Sequence, residues 1–268
     1  MDIEAGLALA LELAEIADAI TIDRFRAVDL VVETKPDLTP VTEADQAVER
    51  ALRDHIAARA PGHGVLGEEY GDDVGAGEFR WVIDPIDGTK SYVRGVPVWA
   101  TLVALEHLGV PVVGAVSAPA LGTRWWAGQG IGAFRNGAPI TVSRVRKLDD
   151  AQLSFAWDTK ERFDDDGIGD RMIGLAHRCW RTRGLGDFWQ HMLVAEGAFD
   201  ISIDPIVSYW DVAALLPIID EAGGSWSTLT GARPALPGSF VCTNGLLHDG
   251  VIGALDPSGL PATAPTTP

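Results

Sequence analysis

The chain has 268 residues, nearly half of them apolar, enough for one large α/β domain or two small ones. Thirty-eight acidic residues against twenty-one basic ones leave a formal net charge of −17, which argues against nucleic acid or an anionic membrane surface as partner. The same charge would repel a phosphorylated substrate unless cations intervened, so composition favours a metal-assisted reaction over a bare basic pocket.

Apolar side chains at Ile3, Leu7, Ala10, Leu13, Ala14, Ala17, Ile20 and Phe25 form a helical stripe with acidic residues on the other face. Val28 to Val32 reads as extended, and Lys35-Pro36-Asp37-Leu38-Thr39-Pro40 is a two-proline loop that cannot be helical. Thr42 followed by Asp45 resembles a capping box at the start of a helix carrying Ala47, Val48, Ala51, Leu52, Ile56 and Ala57. Spacing alone accounts for Asp45 as a cap. Gly62-His63-Gly64 breaks this helix, and Val65-Leu66-Gly67 is a short strand that runs into Glu68-Glu69. That carboxylate pair suits either a charged loop or a functional strand end.

The next stretch, Arg80 to Tyr92, organises the chain. Trp81-Val82-Ile83 is an apolar strand ending in Asp84-Pro85-Ile86-Asp87-Gly88-Thr89. Pro85 fixes one backbone angle and Gly88 permits a positive one, so the turn can direct Asp84, the Ile86 carbonyl and Asp87 into a common space. Such oxygen donors outline a site for a hard cation. Gly88, Thr89 and Lys90 add N–H groups, a hydroxyl and an ammonium suited to a phosphate. A Pro-Gly turn whose aspartates cap their neighbours is the other reading.

Val96 to Leu105 and Val110 to Val116 read as long apolar strands, and Arg124 to Ala127 and Gly132 to Phe134 continue the sheet. The charged stretch 143–150 is the expected seam between two halves. Leu153 to Trp157 resumes a strand, while Asp164-Asp165-Asp166-Gly167 lacks the later spacing of a calcium loop and is read as a solvated turn. Trp180 to Arg183 alternates like a strand, and Asp187 stands where an N-cap is wanted before a helix from Phe188 to Gly197. Phe199 to Ile203 is a strand closed by Asp204-Pro205, and Tyr209-Trp210-Asp211 opens a helix from Val212 to Ala222. Two further strands, at 225–229 and 240–243, precede a short last helix and a Pro/Thr/Ala-rich tail, 258–268, expected to be disordered.

Cys179 and Cys242 show no CxxC spacing, so neither a disulfide framework nor a zinc site is suggested. With no signal-like N-terminus and no apolar run near the length of a span, a soluble, cytoplasmic protein is expected. The six histidines show no HxH or HExxH spacing and are read as surface or packing residues.

Four separated pieces together resemble the inositol-monophosphatase-like family of magnesium-dependent phosphatases: PDLTPVTEAD ending at Asp45, GEE at Gly67 to Glu69, WVIDPIDGT at Trp81 to Thr89, and YWD ending at Asp211. The resemblance covers residues 1–257 as one catalytic domain and implies a layered α-β-α-β-α sandwich and a homodimer. It implies that Glu68, Asp84 and the Ile86 carbonyl hold a first Mg²⁺. Asp84 would bridge to a second ion held also by Asp87 and Asp211, with Asp45 near a third ion or the attacking water. Thr89, with Glu68 or Asp45, would orient that water for in-line attack without a phosphoenzyme, and the N–H groups of Gly88 and Thr89 would cradle the phosphate.

The metal ligands do not separate the family's substrates. Here Arg183-Gly184-Leu185-Gly186 continues into Asp187 and Phe188 where the inositol branch has small residues, and Asp204 precedes Asp211 by seven positions. Two carboxylates beyond the metal ligands suit a substrate carrying an ammonium and an imidazole rather than a neutral polyol. RxxGD, DGTKSYVRGVPVW and RWWAGQGIGAF are similar to the histidinol-phosphate phosphatase branch. The resemblance thus implies a small phosphorylated metabolite as partner, L-histidinol phosphate first and inositol monophosphate second, bound by Asp87, Gly88, Thr89, Lys90, Arg183, Asp187, Asp204 and Asp211. Lithium inhibition is a further implication. A nucleotidase, or a non-catalytic cation-binding protein, are the rival readings.

Overall fold

The structure, a computed structural model, describes residues 1–36, 38–156, 167–233 and 238–255. Trp157, the Asp164-to-Asp166 turn and the 258–268 tail of the sequence reading lie outside them.

In chain order the first half contains α1 (Ile3–Arg24), β1 (Val32–Thr34), β2 (Pro40–Thr42), α2 (Glu43–Arg59), β3 (Gly64–Gly67), β4 (Gly71–Asp73), β5 (Phe79–Asp87), α3 (Thr89–Val93), β6 (Ala100–His107), β7 (Val110–Ala118), β8 (Thr123–Gly128), β9 (Gly132–Arg135) and β10 (Ala138–Pro139). The second half contains β11 (Gln152–Phe155), α4 (Ile168–Ala176), β12 (Arg181–Arg183), α5 (Asp187–Ala195), β13 (Ile201–Asp204), α6 (Tyr209–Ala213), α7 (Leu215–Glu221), β14 (Ser225–Ser227), β15 (Phe240–Thr243) and α8 (His248–Leu255).

Among the described residues the strands build an eight-stranded sheet, ordered β10-β9-β8-β7-β6-β5-β3-β4, a five-stranded sheet, ordered β12-β11-β13-β15-β14, and a β1-β2 ribbon. Alternation along the strands feeds both faces of the larger sheet. Trp81, Ile83, Val103 and Leu105 meet Leu13 of α1 and Val48 and Leu52 of α2 on one side. Val82, Leu102 and Ala104 meet Phe188, Met192, Leu215 and Ile218 of the inner helices on the other. The inner helices in turn cover Phe240 and Cys242 of the smaller sheet, whose far face packs Ile201 and Val241 against Met172 of α4 and Val251 of α8. The layers therefore run helix, sheet, helix, sheet, helix. Each fully buried Leu, Ile or Val in them contributes about 1.5–3 kcal/mol.

Three local departures from the sequence reading matter for the site. Strand β5 does not stop at Ile83 but runs to Asp87, with a register shift against β6 between Asp84 and Asp87. Helix α3 follows it directly. The helix expected from Val212 to Ala222 is two helices, α6 and α7, meeting at Ala214. Pro217 explains the break, because it has no N–H to give to the Ala213 carbonyl. The junction lies hard against the sheet: a Cβ on Gly114 of β7 would stand 2.0 Å from the Ala214 carbonyl oxygen. No helix among the described residues is long and apolar enough to cross a membrane, and Cys179 and Cys242 are free thiols.

A polar seam lines α5. Gln190 accepts the Ser154 hydroxyl at 2.9 Å, and His191 Nδ1 lies 2.8 Å from Ser202 Oγ. Burial lowers the His191 pKa to about 3. Below its ordinary pKa of 6.5 the unfolded chain therefore takes up a proton that the native state refuses. This contribution to stability is present above pH 6.5 and is lost as pH falls towards 3. Chemical denaturation across that window should show the wild type losing about 1.4 kcal/mol per pH unit relative to His191→Met; parallel pH profiles for the two proteins would mean that His191 is protonated in the native state.

Candidate active site

In a regular strand, Asp84 and Asp87 would face opposite sides, because three is an odd separation. The bulge in β5 inserts one extra residue against β6 and reverses the phase, so both carboxylates converge. Pro85 is tolerated because a bulge needs no ladder donor there, and its carbonyl accepts the Thr101 hydroxyl at 2.7 Å. Asp211 arrives from α6, where its carboxylate accepts the Ser208 N–H at 2.7 Å. Ligand oxygens of Asp84, Asp87 and Asp211 all lie within 4.8 Å of one another.

Electrostatics mark this cluster as built for positive charge. Burial, then the charges of Glu68, Asp87 and Asp211, push the Asp84 pKa well above the ordinary carboxylate range. Asp87 is raised in the same way by burial and by Asp187 and Asp211, against a 2.7 Å hydrogen bond from the Phe188 N–H. Burial raises Asp211 to about 7, against the Ser208 N–H, with Glu68 and Asp204 adding to the rise. One Asp84 oxygen, Oδ1, is buried with no hydrogen-bond partner. Buried carboxylate oxygens without donors are the expected signature of a cation site.

Glu68 follows β3, which runs parallel to β5, so Glu68 and Asp84 stand side by side at the strands' carboxyl ends. The Glu68 N–H bonds the Ile83 carbonyl at 3.2 Å. Its carboxylate is turned to Lys35, whose ammonium sits 2.7 Å from Glu68 Oε1 and 2.6 Å from Glu69 Oε1. Burial works against that ammonium, but the two carboxylates hold the Lys35 pKa above the usual lysine value.

Asp45 is both cap and candidate ligand. Its Oδ2 accepts the Thr42 N–H at 2.8 Å and the Thr42 hydroxyl at 2.5 Å, completing the expected capping box, while Oδ1 is buried and unpartnered. Burial raises its pKa to about 7, against the Thr42 hydrogen bonds and with the charges of Glu69 and Glu68 adding to the rise. The Ile86 carbonyl accepts the Thr89 hydroxyl at 2.9 Å and keeps a second lone pair free. Gly88 has φ +81°, and a Cβ there would stand 3.1 Å from the Val98 carbonyl and 3.2 Å from Asp187 Oδ2.

From the acidic cluster a cleft of about 530 Å³ extends between α3 and the segment leading into α5. Asp87, Lys90, Asp187, Asp204 and Asp211 line it, with apolar walls from Phe155, Leu185 and Ile206. Asp187 is not the N-cap that the sequence suggests. Gly186 occupies the cap, and Asp187 is the first helical residue, held at φ +50° with its carboxylate beside Gly88. A non-glycine residue in that region is strained, and strain of this kind gathers at ligand sites. Arg183 is exposed, donates to the Thr182 carbonyl at 2.7 Å and does not line the cleft.

Sequence reasoning left Lys35 without partners and passed over Glu49 and the Phe188 and Ser208 N–H donors. Glu49 carried a signal: an acidic residue one helical turn from Asp45, next to the apolar Val48.

Residues 2–259 match the inositol monophosphatase family. A histidinol-phosphatase of Mycobacterium tuberculosis is 51% identical over 255 residues, covering 93% of this chain and 97% of that protein. A histidinol-phosphatase of Streptomyces coelicolor is 50% identical over 260 residues, covering 93% and 96%. Among solved structures, a Thermotoga maritima IMPase superposes with a TM-score of 0.84 at 31% identity, covering 94% of this chain and 96% of its own. A similar layered fold, the converging acidic ligands and this extent of identity lead to one assignment: the chain belongs to the inositol monophosphatase family of phosphoric monoester hydrolases.

Proposed function

We propose that this chain is a Mg²⁺-dependent histidinol-phosphatase, hydrolysing L-histidinol phosphate to L-histidinol and phosphate in histidine biosynthesis. Two relatives at 51% and 50% identity bear that name. The observation that carries the substrate choice is Asp187, held at a strained positive φ so that its carboxylate enters the cleft beyond the metal ligands. With Asp204 it supplies charge-assisted hydrogen bonds to an ammonium and an imidazole. A neutral polyol does not need that much negative charge.

The donor set fits Mg²⁺, which takes hard oxygen ligands. Glu68, Asp84 and the Ile86 carbonyl would hold one ion, Asp84, Asp87 and Asp211 a second, and Asp45 would lie at a third. Bound there, the ions would neutralise the phosphate and activate a water for in-line attack. Thr89 spends its own proton on the Ile86 carbonyl, so its oxygen can accept a hydrogen bond from that water. Asp45 and Glu68 are the carboxylates placed to share the water's proton. The N–H groups of Gly88 and Thr89, with Lys90, would receive the phosphate oxygens. Arg183, outside the cleft wall, is left out of this set.

Residues 1–257 act as one catalytic unit in this proposal, because α5, α6 and α7 pack against both sheets. A reducing cytoplasm suits the two free thiols. The family resemblance further supports a homodimer; light scattering should return about twice the 28.5 kDa chain mass, and the mass of one chain would remove this element.

Purified protein should release phosphate from L-histidinol phosphate with Mg²⁺, far more slowly from myo-inositol 1-phosphate, and from neither with EDTA. Asp84→Asn should abolish release and weaken Mg²⁺ binding in calorimetry, with the fold retained. The same substitution should raise the metal-free protein's stability by about 1 kcal/mol, since it relieves a buried repulsion. Near-wild-type turnover in that variant would remove Asp84 from the metal site. Asp187→Ala should raise KM for histidinol phosphate about tenfold or more while changing that for inositol phosphate little; equal changes would leave Asp187 without a role in selecting substrate.

A further inference from the structure

Glu49 is fully buried on α2, one turn beyond Asp45, and none of the roles above uses it. Its carboxylate accepts the Glu69 N–H at 2.8 Å and the Tyr70 N–H at 3.1 Å. Arg53, a further turn along, donates Nε to Glu49 Oε1 at 2.9 Å and reaches the Gly71 carbonyl at 2.5 Å and the Val65 carbonyl at 3.4 Å. One face of α2 thus holds the β3-β4 turn from both sides. Gly67 makes the approach possible, because a Cβ there would stand 2.0 Å from Glu49 Oε1. Glu68 is the residue caught between Gly67 and the clamped Glu69 N–H, and its own N–H is tied to Ile83.

Packing does not ask for this arrangement. Val48 and Leu52 already supply the apolar contacts of α2, and a buried ion pair is a poor stabiliser compared with apolar side chains of the same volume. What the pair supplies is direction. Two N–H groups converging on one carboxylate leave the turn a single conformation, and that conformation sets Glu68 beside Asp84.

We propose that Glu49 is a positioning residue which, with Arg53, fixes the turn presenting Glu68 and so sets the affinity of the Glu68–Asp84 pair for its metal. The inference rests on the metal site argued under the proposed function. Helix α2 then serves the site twice, through Asp45 directly and through Glu49 by way of the turn.

The test is Glu49→Gln, which keeps the side chain's shape but leaves one acceptor oxygen, so that an amide NH₂ stands either against the Glu69 N–H or against the Tyr70 N–H and Arg53 Nε. Calorimetry on the metal-free protein should show the Kd for Mg²⁺ rising about tenfold, as loss of a group that orients a ligand does. The Mg²⁺ concentration for half-maximal phosphate release should rise in step, with kcat at saturating Mg²⁺ little changed. Because Glu49 acts through Glu68, the double variant with Glu68→Gln should bind Mg²⁺ no more weakly than Glu68→Gln alone. A lowered Tm with wild-type Mg²⁺ affinity, or effects that add in the double variant, would overturn the proposal. If Glu49→Gln does not fold, Arg53→Met is measured in the same way and must weaken Mg²⁺ binding. A wild-type protein that binds no Mg²⁺ would remove the metal reading itself, whereas equal binding by wild type and variant would remove only the role of Glu49.

Discussion

Like charges forced together are the constraint on which this molecule turns. Asp84, Asp87 and Asp211 bring ligand oxygens within 4.8 Å of one another, and each carboxyl is pushed towards its protonated form by burial and by the others. Unaided, such a cluster would fly apart or take up protons. The fold opposes this with directed dipoles: the Phe188 N–H on Asp87, the Ser208 N–H on Asp211 and the Thr42 N–H on Asp45. Each of these donors stands at or near a helix start, where N–H groups need acceptors in any case. Capping and site building are the same contacts.

The five layers follow from the same requirement. The larger sheet delivers Glu68 and Asp84 from neighbouring parallel strands, while the inner helix layer delivers Asp187 and Asp211. Those helices share one continuous core with residues of both sheets, so their position is set from both sides at once. The bare backbone of Gly114 lets the α6-α7 junction settle directly on β7. A cleft at the meeting of such layers can be acidic and still be held rigidly.

Much of this was legible in the chain. The stripes of α1 and α2 and the Thr42–Asp45 capping box could be read from periodicity and spacing, because helices are specified locally. Of the carboxylates in the four separated motifs, Asp84, Asp87 and Asp211 come together in the fold. The means of convergence was not legible: Pro85 and Gly88 suggested a turn, whereas the chain stays extended and changes phase through a bulge that only the pairing with β6 defines. Asp187 misled for a related reason. Local preference makes an aspartate before a helix its cap, but Gly186 takes that place and Asp187 lines the cleft beside Gly88. The break at Ala214 was signalled by Pro217 and passed over. Partners distant in sequence, such as Lys35 with Glu68, leave no local pattern to find.

The hydrogen bond from the Phe188 N–H to Asp87 joins residues 101 positions apart, and the parallel pairing of β3 with β5 cannot close through a tight hairpin. The contact between Phe188 and Asp87 cannot form until the second half of the chain meets the first, so the complete site has no local precursor on the folding path. A cation that binds only the completed cluster then stabilises the whole native state rather than any part of it. Metal occupancy thereby becomes a gauge of global folding: a chain cut between Asp87 and Phe188 would keep Asp84 and Asp87 in its sequence yet lack the N–H that Asp87 accepts.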